Sequence, residues 1–287
     1  MICRIASVAL ACLGGVGVAA AAQAQPVPLS AQPLKGGVYW VKGGNGANTG
    51  FIVGGKEVVV IDAKTVAESS QAMLAEIRKV TPNPVTTVIL THSDGDHVNG
   101  LAGLTQGLTI IAHSNTKKDM VEAFKDPKMS ALLPYLPTRT VDGDQPLSIG
   151  GVRLNLRYFG PAHTSGDLVV LIPRERIAFI GDLAFLGRDP LIHRQKGGTS
   201  LGLIQNLRKI LALDADTFIS GHNDPLTKAD IRGLLTSIEE KQAKVKALIQ
   251  QGKSLDEIKT AFGITEAADP SARRRPGLVE IIYLDLK

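Results

Sequence analysis

The 287-residue chain contains little cysteine and no long run of charge of one sign. Its two cysteines, Cys3 and Cys12, both lie within the first 24 residues. The rest of the chain can therefore form neither disulfides nor thiolate metal sites. Lysine and arginine number 32 against 27 acidic residues, and the densest basic run is the three arginines at 273–275. A run this short is typical of a solvated turn and no recognition motif accompanies it, so we expect no nucleic-acid partner.

The first 24 residues have the pattern of a cleavable signal peptide. Arg4 supplies a positive charge, residues 5–22 are apolar, and Ala22-Gln23-Ala24 supplies the small residues that signal peptidase recognises. We predict cleavage after Ala24, a periplasmic or secreted protein, and no stable membrane insertion after cleavage. An uncleaved anchor is disfavoured because glycines interrupt the apolar run. Lipidation at Cys12 is a minor alternative, because the segments before it would be too short.

Beyond the signal peptide, the pattern indicates a flexible lead-in at residues 25–36 and one α/β domain at residues 37–287. Short apolar runs predict strands, and apolar spacings of three and four predict helices. The predicted strands cover residues 38–42, 48–53, 57–62, 86–90, 108–112, 152–158, 168–172, 177–180 and 217–220. The predicted helices cover residues 66–80, 114–124 (with Ser114 as N-cap), 200–213, 228–250 and 254–262, and the proline-containing stretch 125–139 is predicted to be irregular.

Most of the few histidines lie in short loops that directly follow apolar strand-like runs. The loop at residues 91–100 reads THSDGDHVNG, and later loops read GPAHTSGD, IGD and SGHND. Because the ends of neighbouring strands lie along one rim of a sheet, we expect the polar side chains of these loops to converge. The candidate metal ligands are His92, Asp94, Asp96, His97, His163, Asp182 and His222.

The loop at residues 91–100 is rich in metal-binding side chains. It holds two imidazoles and two carboxylates within six residues. Such a segment packs poorly, whereas a cation offsets the repulsion between its carboxylates. The alternative is a polar turn in which Asp94 or Asp96 caps the next helix. The later histidines and Asp182 make that alternative weaker.

These motifs, in this order, resemble those of the metallo-β-lactamase superfamily over residues 37–227. The resemblance implies an α/β fold in which two mixed β-sheets are flanked by helices, an αββα sandwich. It also implies two metal sites with Asp182 between them, the first formed by His92, Asp94 and His163 and the second by Asp96, His97 and His222.

One position departs from the family pattern. The family usually has a second histidine where this chain has Asp94. A carboxylate makes the first site harder and more anionic, and the arrangement is similar to the flavodiiron branch, which has a glutamate there and binds iron. We expect two Zn²⁺ ions per chain, with iron or manganese as alternatives.

The resemblance implies a hydrolase in which a metal-bound hydroxide cleaves an ester-like or amide-like bond of a small-molecule substrate, such as a lactone, β-lactam or thioester. Asp96 is the candidate catalytic residue, because a carboxylate inside the metal loop can orient that hydroxide and shuttle its proton. Thr91 and Asp167 are candidates to accept the free N–H of ligand imidazoles, although Asp167 could equally serve its own turn.

Two further histidines fall outside the motifs. His113 ends a predicted strand, and we favour a structural or supporting role for it. His193 lies in the loop Arg188–Lys196, which follows Asp182. If this loop overhangs the cleft, its cations could hold an anionic substrate group. We favour the interpretation of a solvated basic loop.

Two other functions are open at this point. Two imidazoles and a carboxylate are typical of non-haem iron sites, so redox chemistry at iron is one alternative, although the chain has no recognisable flavin partner domain. The other is a catalytically silent metal-binding periplasmic protein. The presence of both Asp96 and Asp182 argues against it. The sequence carries no signal for an oligomeric state.

Overall fold

The computed structural model of the protein describes residues 28–264 and 275–287. The predicted signal peptide, residues 1–24, lies outside these ranges. Across the part of the chain that is described, no helix has both the length and the apolar character needed to span a membrane.

The N-terminal half forms a seven-stranded mixed sheet whose strands lie in chain order. The strands are β1 (Ser30–Pro33), β2 (Val38–Lys42), β3 (Thr49–Val53), β4 (Val58–Ile61), β5 (Val85–Ile89), β6 (Thr109–His113) and β7 (Arg139–Val141). The first four are antiparallel to one another, and β4 to β7 are parallel. Parallel neighbours require crossover connections, which contain the helices α1 (Ala67–Val80), α2 (Gly95–Val98) and α3 (Ser114–Ala123) and 3₁₀ turns at Asn99–Gly103 and Pro127–Tyr135.

The C-terminal half forms a five-stranded sheet in the order β12-β11-β10-β9-β8. Its strands are β8 (Gln145–Ile149), β9 (Val152–Tyr158), β10 (Leu168–Ile172), β11 (Ile177–Gly181) and β12 (Thr217–Ser220). All neighbours are antiparallel except β11 and β12, which are parallel and joined through helix α4 (Ser200–Leu211). The helices α5 (Lys228–Gln250), α6 (Leu255–Ala261) and α7 (Leu278–Leu286) complete the described chain.

Three apolar clusters separate four layers of structure. In the central cluster, residues of the first sheet such as Ile52 and Ile89 meet residues of the second sheet such as Leu156 and Phe179. A second cluster packs α1 and α3 against the outer face of the first sheet, and a third packs α4, α5 and α7 against the outer face of the second. Each sheet therefore buries both faces, which explains why β4 and β10 are apolar at every position. This arrangement confirms the predicted αββα sandwich of two mixed sheets.

The structure differs from the sequence prediction at several short elements. Residues 30–33, predicted to be part of a flexible lead-in, form β1, which pairs antiparallel with β2. This edge strand forms because Leu29 and Ala31 pack against the core beside α1. The prediction of Ser114 as an N-cap is wrong by one residue, because His113 caps α3 by accepting a hydrogen bond from the Asn115 N–H. The predicted irregular stretch 125–139 contains the 3₁₀ turn described above.

The two sheets are joined by hydrogen bonds at one rim of the sandwich. The Leu168 N–H donates to the Thr91 carbonyl over 2.8 Å, and the Asn48 N–H donates to the Gly221 carbonyl over 2.6 Å. The Asn48 side-chain amide also donates to the carbonyls of Ser220 and Asn223. These contacts bring the loops that follow β5 and β12 to the same edge of the sandwich.

Candidate metal centre

All seven predicted site residues lie in two adjacent groups at this rim. In each group, the candidate ligand atoms lie within 4.8 Å of one another. The first group consists of His92, Asp94, His163 and Asp182, and the second of Asp96, His97 and His222. The structure thus brings the predicted residues together in the predicted division. Their role as ligands stays a prediction.

The first group is almost fully buried. The Asp94 Oδ2 atom lies 3.2 Å from His163 Nε2 and 3.8 Å from His92 Nε2. Asp182 Oδ2 lies 4.0 Å from each of these two nitrogens. Asp94 occupies the N-cap position of α2, but its side chain makes no capping hydrogen bond and turns to the imidazoles instead. The alternative of a simple helix-capping turn therefore does not describe Asp94.

The second group is more open to solvent. The side chains of Asp96 and His222 are 35% and 31% exposed, and Asp96 Oδ2 lies 3.3 Å from His222 Nε2. His97 is fully buried, with its Nε2 atom 3.9 Å from Asp96 Oδ2. Asp182, which belongs to the first group, also contacts the second, because its Oδ1 lies 3.2 Å from His97 Nε2 and its Oδ2 lies 3.1 Å from His222 Nε2. Asp182 is thus placed between the groups, as the predicted bridging role requires.

Three of the imidazoles are oriented by a polar contact at Nδ1. His97 Nδ1 lies 2.8 Å from Asp62 Oδ2, and His163 Nδ1 lies 2.7 Å from the Leu191 carbonyl oxygen. His92 Nδ1 lies 3.0 Å from the Thr91 hydroxyl, the contact expected for Thr91. These partners favour the tautomers in which Nε2 carries a lone pair facing the centre.

Asp62 is a residue of the site that sequence reasoning missed. It follows β4 in the left-handed region, at φ 62°, and its carboxylate accepts hydrogen bonds from the Thr91 N–H, the Thr91 hydroxyl and His97 Nδ1, each over 2.8 Å. Its signal in the sequence was its position at the end of an apolar strand. Asp167, by contrast, contacts no imidazole. It accepts from the N–H and hydroxyl of Thr164, and burial raises its pKa to about 6.

The loop after β11 reaches the centre. Lys196 Nζ lies 2.7 Å from Asp94 Oδ1, and His193 Nε2 lies 2.7 Å from Asp94 Oδ2. The interpretation of this loop as solvated is therefore wrong for His193, which is buried. It fits Arg194, whose guanidinium pairs with Asp285 away from the cleft. His193 could not be assigned from the sequence because its position depends on the course of an irregular loop.

His113 lies outside the centre and has a structural role. Its ring stacks on Tyr158 with the centroids 4.0 Å apart, and its Nδ1 atom accepts from the Asn115 N–H. This agrees with the structural role favoured from the sequence.

Two imidazoles of the centre, those of His163 and His222, form ion pairs with its acidic groups, whereas burial and the charges of neighbouring imidazoles hold the pKa of His92 well below its usual value. Burial opposes charge on His163, but the hydrogen bond with Asp94 and the charge of Asp182 raise its pKa to about 9. Hydrogen bonds with Asp182 and Asp96 likewise raise the pKa of His222 to about 9. Burial would raise the pKa of Asp94, yet hydrogen bonds with His163 and His193 hold it well below its usual value. The carboxylates are therefore ionised at neutral pH and can bind cations.

The residues present fit divalent metal ions. Among the described residues, three buried atoms of the candidate ligands have no hydrogen-bond partner, namely Nε2 of His92, Nε2 of His97 and Oδ1 of Asp182. An unsatisfied buried polar atom costs about 1–3 kcal/mol, so three of them in one place indicate a ligand that satisfies them together. Atoms about 2.0–2.2 Å from a shared ion lie roughly 3–4 Å apart, in agreement with the separations of 3.2–4.0 Å in the first group.

A cleft of about 350 Å³ gives access to the centre. Its walls include Asp94, Asp96, Asp182 and His222, together with Arg188 and Arg275. The Arg188 guanidinium lies over the Phe185 ring, 4.4 Å from its centroid, and Phe185 stacks on His222. The cleft can therefore hold a small molecule next to the half-exposed carboxylate of Asp96.

The chain is similar in sequence to a known protein family and to individual known proteins. A family model described as the metallo-beta-lactamase superfamily matches residues 43–222. The 2,4-dinitroanisole O-demethylase subunit alpha of Nocardioides sp. (strain JS1661) is 28% identical over 197 residues, which cover 68% of this chain and 57% of that protein. The metallo-beta-lactamase type 2 of Elizabethkingia meningoseptica is 28% identical over 210 residues, which cover 70% of this chain and 78% of that protein.

The fold is also similar to that of solved structures. A metallo-beta-lactamase from Pontibacter korlensis superimposes with a TM-score of 0.63 at 18% sequence identity, and the match covers 74% of this chain and 99% of that one. At this identity, the similarity concerns the sandwich architecture alone.

Proposed function

Because the chain belongs to the metallo-β-lactamase superfamily, we propose that it is a metal-dependent hydrolase that cleaves an ester-like or amide-like bond in a small molecule. The observation that carries this proposal is the convergence of three buried, unpartnered ligand atoms beside a carboxylate that is 35% exposed. The buried atoms would bind the metal ions. The exposed carboxylate, Asp96, would accept a proton from a water molecule in the cleft.

Seven residues would hold the metal ions. In the proposed assignment, His92, Asp94 and His163 hold one ion, Asp96, His97 and His222 hold the other, and Asp182 lies between them. When bound, two divalent ions would lower the pKa of a water molecule and stabilise the negative charge that develops on the substrate oxygen.

The remaining chemistry falls to the side chains of this chain. Asp96 orients the attacking water and accepts its proton, because it is the most exposed carboxylate of the centre and faces the cleft. Asp62 and the Leu191 carbonyl hold the imidazoles of His97 and His163 in the required tautomer. Arg188 and Arg275 line the cleft, and their charges favour substrates that carry an anionic group.

The first experiment is elemental analysis of the full chain purified without added metal, followed by a hydrolysis screen. The screen includes lactones, thioesters and aryl esters, a β-lactam because one relative is named a β-lactamase, and 2,4-dinitroanisole because another is named its demethylase. We expect about two zinc ions per chain and an activity that chelator abolishes.

Asp96→Asn is the matched test of the catalytic assignment. The variant should lower kcat by at least about 100-fold while the substrate KM changes little. Asp144→Asn is the control, because Asp144 pairs with Arg157 on the surface. A purified chain that neither contains nor takes up zinc would refute the proposal. An Asp96→Asn variant that keeps its metal and its activity would refute the role of Asp96, and a zinc-loaded wild type without activity on any substrate would favour the silent metal-binding protein.

A second candidate function is redox chemistry at iron. It is favoured by one observation, the Asp94 carboxylate beside the imidazoles of His92 and His163, which together form a donor set typical of non-haem iron. Elemental analysis separates the two candidates, because iron in the purified chain would support the redox function and zinc would exclude it. We further propose that the protein is exported, on the strength of the signal-peptide pattern in residues 1–24, which mass spectrometry of the N-terminus from cells would test.

A further inference from the structure

We propose that Asp285, on the C-terminal helix α7, is a positioning residue for the first metal group, on which it acts through the loop that follows β11. The inference rests on the metal centre proposed above and goes beyond it, because Asp285 lies outside residues 43–222, the part of the chain that matches the family model. A segment without any metal motif thereby gains a role in metal binding.

The loop after β11 holds the carboxylate of Asp94 at both oxygens. Lys196 Nζ lies 2.7 Å from Asp94 Oδ1, and His193 Nε2 lies 2.7 Å from Asp94 Oδ2. The Gln195 side-chain nitrogen lies 3.0 Å from His193 Nδ1. Because an amide nitrogen can only donate, His193 carries its proton on Nε2, on the side of Asp94. The loop therefore supplies two donors that orient Asp94, and a carboxylate keeps further lone pairs for a metal ion.

The same loop also orients His163. The His163 Nδ1 atom donates to the Leu191 carbonyl over 2.7 Å, and the His193 N–H donates to the His163 carbonyl over 2.8 Å. In the second group, by contrast, the partner of His97 is Asp62, which follows β4. The position of this loop therefore bears on the first group in particular.

Asp285 fixes the loop where it enters helix α4. Its Oδ2 atom accepts from the N–H and the hydroxyl of Ser200, each over 2.7 Å, and from the Thr199 hydroxyl over 2.9 Å. Thr199, the N-cap of α4, makes no capping hydrogen bond of its own, so a side chain from another helix takes that role. The Asp285 Oδ1 atom pairs with the Arg194 guanidinium. Since Arg194 precedes Lys196 and Thr199 follows it, Asp285 holds the loop on both sides of that lysine.

The Asp285 carboxylate cannot be replaced by an amide without loss of contacts. Its side chain is 6% exposed, and all four of its partners are donors. An asparagine keeps one oxygen and turns its NH₂ group toward the remaining donors, which lose their acceptor. The loop is then free to shift, and Lys196 no longer holds Asp94 in place.

A purely structural role for Asp285 gives a different result. If the residue only secured α7 against α4, its loss would lower the stability of the fold without distinguishing one metal group from the other. The identity of the imidazoles that lose zinc therefore separates the two roles.

The test is a chelator titration of the zinc-loaded full chain, followed by ¹H–¹⁵N correlation NMR of the histidine ring nitrogens. In Asp285→Asn, His92 and His163 should lose zinc at a chelator concentration about 10-fold lower than in the wild type, the lower end of the effect of losing a supporting partner. His97 and His222 should respond as in the wild type. Equal changes in both groups, or none in either, would overturn the proposal. A wild-type chain that binds no zinc would instead overturn the metal centre itself, so the two failures are distinguishable.

Two further variants accompany this measurement. Glu280→Gln is the control, because Glu280 lies on the same helix and pairs with Lys259 of α6 over 3.1 Å, and both metal groups should bind zinc as in the wild type. Arg194→Met keeps the contacts of Asp285 with α4 and serves if Asp285→Asn does not fold. It should weaken the first group alone, and unchanged zinc binding in this variant would contradict the proposal.

A double-mutant cycle shows whether the effect passes through the loop. Asp285→Asn and Lys196→Met together should lower the zinc affinity of the first group by less than the product of the two single losses, because both act on the same carboxylate. A loss equal to that product would mean that Asp285 acts independently of Lys196, and would refute the proposed route.

Discussion

Replacing Asp62 by asparagine should damage the second metal group without removing any of its ligands. In the wild type, Asp62 accepts three hydrogen bonds of 2.8 Å, two from Thr91 and one from His97 Nδ1. Asparagine keeps one oxygen but turns an N–H₂ group toward His97. The imidazole then has to accept at Nδ1 and carry its proton on Nε2, where it can no longer bind metal.

The size of the effect follows from what each contact contributes. Loss of a partner that orients a ligand histidine typically lowers metal affinity by about 10–100-fold, and we expect that loss at one site of two in Asp62→Asn. In chelator-treated protein the free energy of unfolding should fall by about 1.5–3 kcal/mol, because a buried hydrogen bond to a charged group is lost. Zinc competition and urea unfolding in EDTA measure the two quantities separately.

Asp119→Asn is the control for this prediction. Asp119 accepts a hydrogen bond of 2.9 Å from the hydroxyl of Ser93, close to the metal loop but outside the centre. This variant should bind zinc like the wild type. If Asp62→Asn also binds two zinc ions with unchanged affinity, the argument that Asp62 sets the His97 tautomer is wrong.

Three further predictions concern other buried contacts. Lys196→Met leaves Asp94 without its ammonium partner, so thermal unfolding should show a larger loss of stability in EDTA than in zinc, and equal losses would contradict the pairing. Gly221→Ala places a Cβ atom 2.1 Å from Asp182 Oδ1, so zinc titration should show loss of high-affinity binding at both sites, unlike Gly233→Ala, where the Cβ meets nothing within 4 Å. Burial lowers the pKa of Lys64 to about 8 from its ordinary value of 10.5. Between pH 8 and 10.5 the Lys64 amine is therefore protonated in the unfolded chain and neutral in the folded one, so the free energy of unfolding rises with pH. Urea unfolding should show a rise of up to roughly 3 kcal/mol over this range in the wild type and no such rise in Lys64→Met.

The long periodic elements and the ligands were predictable because their signals are local. The strand at Val38–Lys42 and the helix at Lys228–Gln250 have the predicted bounds, since each buries a regular apolar pattern in one of the three clusters. The convergence of the site residues followed from the rule that strand ends share a rim. These inferences needed no knowledge of how the loops run.

The missed features depend on contacts between distant segments. The helix at Leu278–Leu286 packs against α4 and α5 in the cluster on the second sheet, and β1 exists because β2 offers it an edge. His193 and Asp62 lie outside the histidine-containing loops whose residues were predicted to be ligands. Their roles appear only when the loop after β11 and the end of β4 are placed next to the histidines, which no spacing along the chain encodes.

The unequal exposure of the two groups has a kinetic consequence. Asp96 and His222 are about one-third exposed, whereas His92, His163 and Asp182 are 3% exposed or less. In the proposed two-ion centre, an ion held by the second group would exchange its ligands for water faster than an ion held by the first group, whose ligands are buried. A chelator should therefore remove the two ions at different rates, and refilling should proceed from the inner position outward. During brief metal scarcity, the protein would pass through a species with a single, deeply held ion before it loses both.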